Sequence, residues 1–218
     1  MRVNKYFVYS KFKITYIRLN MKIDYYYSVM SPFTYLGSER FIALVERYNI
    51  EVEEKPFDII GEIFANTGGI PVPKRHPSRQ KYRLVEIERV GKKLNIPVNP
   101  KPQFFPLSDP HLPAKFILAS NKLGNKLHFS NTCLKYLWSQ EKNISDMKIL
   151  EEICLSLNLN FEEMQDIASS PEIENQYKAN SQQAISSDVF GAPSYVYNSE
   201  VFWGQDRLDY LEDALKNN

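Results

Sequence analysis

The chain has 218 residues, 43% hydrophobic and 24% charged, which is the composition of a folded globular protein long enough to bury a substantial core. A net charge of +1 argues against a nucleic-acid partner, and no apolar run approaches the roughly 20 residues that span a bilayer. The two cysteines, Cys133 and Cys154, lie far apart in sequence, share no metal-ligand spacing with His76, His111 or His128, and suit a reducing compartment such as the cytoplasm.

Residues 1–20 hold five of the 27 basic residues and none of the 26 acidic ones, so the remainder carries −4. This leader lacks the continuous apolar stretch of a secretory signal and is poor in Ser for a transit peptide; it reads as an extension to the domain. An aromatic and β-branched run at 23–29 predicts a buried strand that stops at Ser31-Pro32. The period then becomes helical, with Phe33, Leu36, Phe41, Leu44 and Val45 on one face. Proline suits a first helical turn, because its missing N–H costs nothing there. Ser31 therefore sits at a strand-to-helix junction beside unpaired N–H groups, where positive partial charge stabilises an anion. A plain capping serine accounts for the same residue.

Residues 50–57 alternate as a second strand, with Pro56 marking its end or an edge, and the β-α-β order predicts parallel pairing. A short helix is expected at 58–65. A loop follows from Asn66-Thr67-Gly68-Gly69 through Pro71, Pro73 and Pro77, punctuated by Lys74, Arg75 and Arg79. Such a loop is either a solvated linker or functional. Tyr82, Val85, Ile87, Val90 and Leu94 predict a helix face, and 96–106 is Pro-studded and extended. Helices are expected at 113–123, 127–140, 147–157, 161–169 and 172–186, with Asn160 and either Asp146 or Ser145 as caps. Gly191-Ala192-Pro193-Ser194 leads into a strand at 195–197, a turn at 198–200 and a partner strand at 201–203. Gln205-Asp206-Arg207 begin a last helix whose core face is Leu208, Leu211 and Leu215.

Three stretches carry a family resemblance: M-K-I-D-Y-Y-Y-S-V-M-S-P-F-T-Y-L-G at 21–37, D-V-F-G-A-P-S-Y-V at 188–196 and F-W-G-Q-D-R-L at 202–208. Together they resemble the 2-hydroxychromene-2-carboxylate isomerases and kappa-class glutathione transferases, in the DsbA-like branch of thioredoxin folds. The resemblance implies an α/β, thioredoxin-like domain over 21–218, interrupted by an all-helical subdomain at about 58–187. In that fold the junction carries C-x-x-C, whose first thiol is acidified by the helix start. Here the four residues are S-P-F-T, so the thiol is expected to arrive with a ligand, glutathione, and Ser31 to polarise it.

The resemblance also implies a cis bond before Pro193, which frees the Ala192 backbone to pair with an extended peptide. It implies that Asp206 holds the α-amino group of the γ-glutamyl end, with Gln205 beside it, although Asp206 is equally placed to cap a helix. The family usually has T-G-N where this chain has Thr67-Gly68-Gly69; Gly69 makes no side-chain contact, and nearby Asn66 is the substitute. Phe33, Tyr35, Phe104 and Phe105 are candidates for an apolar substrate wall or for plain core. The expected activity is glutathione-dependent cis–trans isomerisation of a small aromatic or electrophilic substrate, by a homodimer without metal. Open alternatives are a kappa-like transferase or peroxidase, and a non-enzymatic thioredoxin-fold binding protein.

Overall fold

Strand β1 (Lys22–Tyr27) is the centre of a four-stranded mixed sheet. It pairs in parallel with β2 (Glu51–Pro56) and antiparallel with β3 (Ser194–Tyr197), and β4 (Glu200–Trp203) completes the order β2-β1-β3-β4. The computed structural model describes residues 21–217, so the expected extension at 1–20 lies outside the described residues. A strand covered on both faces reads as a continuous apolar run, and Tyr25, Tyr26 and Tyr27 are all buried. The Tyr25 ring stacks on Tyr27 at 4.4 Å and on Tyr195 at 5.2 Å, and meets Phe41 at 4.6 Å. Pro56 is the last residue of an edge strand, where a missing N–H breaks no ladder bond.

Helix α1 (Pro32–Tyr48) lays Leu36, Phe41 and Leu44 into the core and closes at Asn49 in the left-handed conformation, φ 51°. Between β2 and β3 lie a wide turn (Ile59–Ile63), α2 (Phe64–Thr67), a 3-10 turn (Val72–Lys74) and α3 (Pro77–Leu94). Then follow α4 (His111–Lys122), α5 (His128–Trp138), α6 (Met147–Ser156), α7 (Phe161–Ala168) and α8 (Pro171–Ser186). Asp146 and Asn160 cap α6 and α7. Ser145 does not cap; its hydroxyl donates to the Asp109 carbonyl at 2.8 Å.

Two expectations for α3 are corrected. Pro77 and Arg79 belong to the first turn of α3, not to the loop, because proline is pre-shaped for that position. The predicted face of α3 is too wide: Ile87 is buried, but Tyr82 is 61% and Val85 49% exposed. At about 100° per residue they stand roughly 140° and 160° around the helix from Ile87 and cannot share its stripe.

The β3–β4 hairpin turns through Asn198 and Ser199, both at positive φ (49° and 65°), which matches the twist of the paired strands. Residues Gln205–Arg207 form a separate 3-10 turn before α9 (Leu208–Lys216), which buries Leu208, Leu211 and Leu215. Behind the sheet, Glu54 is 3% exposed; it accepts from the Tyr27 hydroxyl and from the Leu127 N–H at 3.0 Å.

Candidate active site

The site begins where β1 hands over to α1. Ser31 is extended (φ −94°, ψ 117°), so its Oγ turns back to accept from the Thr34 N–H at 3.2 Å, pairing one of the N–H groups a helix start leaves unmade. The hydroxyl proton points the other way and donates to the Ala192 carbonyl at 3.0 Å. The Ala192–Pro193 bond is cis. The Pro193 carbonyl accepts from the Gly204 N–H at 2.9 Å, which ties this loop to the turn carrying Gln205 and Asp206.

Ser31 and Ala192 open on a cavity of about 400 Å³. Met30, Phe33, Ile59, Phe64 and Phe105 make an apolar wall, with Phe190 and Trp203 at the rim. Of the four aromatic wall candidates, Phe33 and Phe105 line this space. Tyr35 is core, its hydroxyl donating to the Pro97 carbonyl at 2.8 Å, and Phe104 packs against the core outside the wall. The Trp203 ring stands edge-on to Phe190 at 4.7 Å and lies over Gly191, where a Cβ would come within 2.4 Å of Trp203 Nε1. Only glycine permits that approach.

The other predicted residues stand apart from the cavity lining. Gln205 is buried; its backbone carbonyl accepts from Arg40 Nη1 at 3.1 Å. Asp206 is exposed and pairs with Arg207 at 3.3 Å. Asn66 is exposed, and its amide donates to the Glu62 carbonyl at 2.8 Å. Gly69 has a packing reason of its own: a Cβ there would lie 2.1 Å from the Phe64 ring.

Arg75 and Arg83 were not singled out as site residues by sequence, yet both line the cavity. The Arg75 guanidinium lies over the Phe64 ring at 5.7 Å and the Arg83 guanidinium over Phe105 at 5.5 Å. Arg75 Nε also donates to the Ile70 carbonyl at 2.6 Å. Among the described residues neither guanidinium pairs with a carboxylate. Burial, and next the charge of Arg75, lowers Arg83 to about 10, so it stays charged at neutral pH. Burial, and next Arg79, lowers Arg75. One arginine in a helix as basic as α3 carries no signal in sequence; only the fold turns it inward.

Cys133 and Cys154 are buried and do not line the cavity. Burial pushes the Cys154 thiol up to about 11 and the Cys133 thiol well above its ordinary value. Among the described residues no group of three His, Cys, Asp or Glu side chains is placed to hold a metal ion. The chemistry that the cavity itself offers is a hydroxyl and a helix start at one end, the main chain at Ala192 lining it beside them, and two cations in an apolar wall.

A family model for the DSBA-like thioredoxin domain matches residues 22–216. The 2-hydroxychromene-2-carboxylate isomerase of Sphingobium xenophagum is 26% identical over 193 residues, 88% of this chain and 97% of that protein. Glutathione S-transferase kappa 1 of Caenorhabditis elegans is 22% identical over 207 residues, 89% of this chain and 91% of that protein. Among solved structures, a 2-hydroxychromene-2-carboxylate isomerase superposes with a TM-score of 0.76 at 21% identity, covering 90% of this chain and 95% of that one.

Proposed function

Because the chain belongs to the DsbA-like thioredoxin family, we propose that it is a glutathione-dependent cis–trans isomerase resembling 2-hydroxychromene-2-carboxylate isomerase, with Ser31 activating the thiol of bound glutathione. The observation that carries the reading is a hydroxyl, in place of a thiol, at the start of α1 and facing an apolar cavity. The residues present fit a thiol-bearing peptide: a hydrogen-bond donor and a helix N-terminus for the sulfur, and the main chain at Ala192 for the backbone. Glutathione, when bound, would supply the thiolate nucleophile for reversible addition to a conjugated double bond. The chain's part is to favour that thiolate. Ser31 turns its proton from the Ala192 carbonyl to the sulfur, while the Thr34 N–H stays on Oγ. Asp206 holds the α-amino group, with Gln205 and Asn66 at the periphery. The apolar wall keeps water from a small aromatic or electrophilic substrate. Ser31 is thus an activator and not a nucleophile.

On the same reading the protein works as a homodimer in the cytoplasm, and residues 1–20 form an extension outside the domain; the family match, which begins at residue 22, supports that division. A second reading, a kappa-like transferase or peroxidase using the same Ser31, is favoured by the nearly equal identity to the kappa transferase. Gly69 in place of asparagine favours a third, a binding protein without catalysis. Isothermal titration with reduced glutathione, followed by a panel of isomerisable conjugated acids and simple electrophiles, separates the three. No heat and no thermal shift at millimolar glutathione would sink the first two.

A further inference from the structure

Two cations without a carboxylate partner are an unusual lining for an apolar cavity. A guanidinium taken out of water is costly unless an anion meets it, and after burial the charge of Arg75 further disfavours that of Arg83. Their aromatic contacts, over Phe105 and Phe64, orient the planar forks but neutralise nothing. The arrangement is therefore stable as a site that expects negative charge. Both residues come from α3 and the loop before it, separate in sequence from the Ser31 and Ala192 junction that receives the peptide. The rest of the wall is apolar, with the rings of Phe33, Phe64 and Phe105 among its aliphatic side chains.

We infer that Arg83, assisted by Arg75, is the specificity-determining anchor for the carboxylate of a planar, conjugated second substrate held in this cavity. The inference rests on the reading that a second substrate enters beside Ser31. A guanidinium fork matches a carboxylate with two parallel hydrogen bonds, and Phe33, Phe64 and Phe105 cover the conjugated remainder. The anchor sets which end of the substrate lies away from Ser31 and selects acids over neutral electrophiles. A carboxylate of glutathione offers the same chemistry to the arginines, so the test separates the two sources.

The probes are trans-cinnamate and its neutral isostere cinnamide, titrated calorimetrically into the full chain with and without saturating glutathione. Cinnamate should bind about 10–100-fold more tightly than cinnamide, the value of a hydrogen bond to a charged group. Arg83→Gln should erase that preference, Arg75→Gln should narrow it, and Arg83→Lys, which keeps the charge but loses the fork, should retain part of it. Glutathione affinity should be the same in Arg83→Gln as in the wild type. Acid preference in a protein that binds no glutathione would support the anchor while removing the function proposed above. Equal affinity for acid and amide in the wild type overturns the inference. So does a preference that survives in folded Arg83→Gln, or a loss of glutathione binding in that variant with cinnamate binding intact.

Discussion

The Ser31 hydroxyl donates to the Ala192 carbonyl at 3.0 Å, so the residue proposed to polarise a thiol is bonded to the one proposed to dock its peptide. One proton cannot serve both acceptors. Ser31→Ala therefore does more than remove a donor to sulfur. It takes the Oγ acceptor from the Thr34 N–H, which keeps the Ser31 carbonyl at 3.1 Å, and frees one lone pair of Ala192, so it should cost about 1 kcal/mol of stability, the typical value for a lost cap. With glutathione bound it should also raise the thiol's pKa by about 1–2, the equivalent of one hydrogen bond to a charged group. Ultraviolet absorbance of the thiolate against pH reads this directly. Some acidification should survive through the helix start, and higher pH should partly restore turnover. Superimposable titration curves would leave Ser31 as a cap.

Asp206→Ala should weaken glutathione by about 1–3 kcal/mol through a lost charge-assisted contact. Because Asp206 is exposed and its neighbour in the fold is Arg207, the melting temperature should barely move. Calorimetry showing unchanged affinity would assign the carboxylate to the turn alone.

Gly69→Asn restores the family's T-G-N but drives a side chain into the Phe64 ring. It should destabilise the wild type, while Phe64→Ala should relieve most of that loss in the double variant. Urea melts of the four proteins give the coupling; additive effects would show that Phe64 is not what excludes the asparagine.

Glu54 provides a pH test independent of the cavity. Burial, the largest influence, holds its carboxyl above the ordinary value despite hydrogen bonds from Ser130, Tyr27 and Leu127. The folded chain therefore binds this proton more tightly than the unfolded chain. The penalty is absent below the unfolded pKa and grows as pH rises through the folded one. Glu54→Gln should gain on the wild type as pH rises through that window and lose the advantage in acid. Glu54→Ala should be worse than either, at about 1–3 kcal/mol for each of the orphaned Tyr27 hydroxyl and Leu127 N–H. A wild type that outlasts Glu54→Gln most at high pH would reverse the sign.

Neither thiol should react with a disulfide reagent at pH 8 in the folded protein, and both should react in guanidinium. At a pKa of about 11, Cys154 is ionised in roughly one molecule per thousand at that pH. A fast native reaction would place a protein thiol in play and reopen disulfide exchange.

Local chemistry was enough to read the frame of this molecule. The tyrosine run of β1, Pro32 at the first turn of α1, the capping Asn160, and the leucine stripe of α9 each declare themselves through periodicity or a special backbone need. Ser31 was legible for the same reason, since a strand that ends in Ser-Pro before a helical period has one place to put its hydroxyl. Where that hydroxyl's proton goes was not legible, because Ala192 is 161 residues away. The wall of the cavity was also hidden. Phe33 and Phe105 face it while Tyr35 and Phe104, of the same chemical kind, do not. Arg83 looks in sequence like any charge on a solvated helix. Which side of a helix meets a cavity depends on how helices pack against a sheet, and that is settled by contacts between residues distant in the chain.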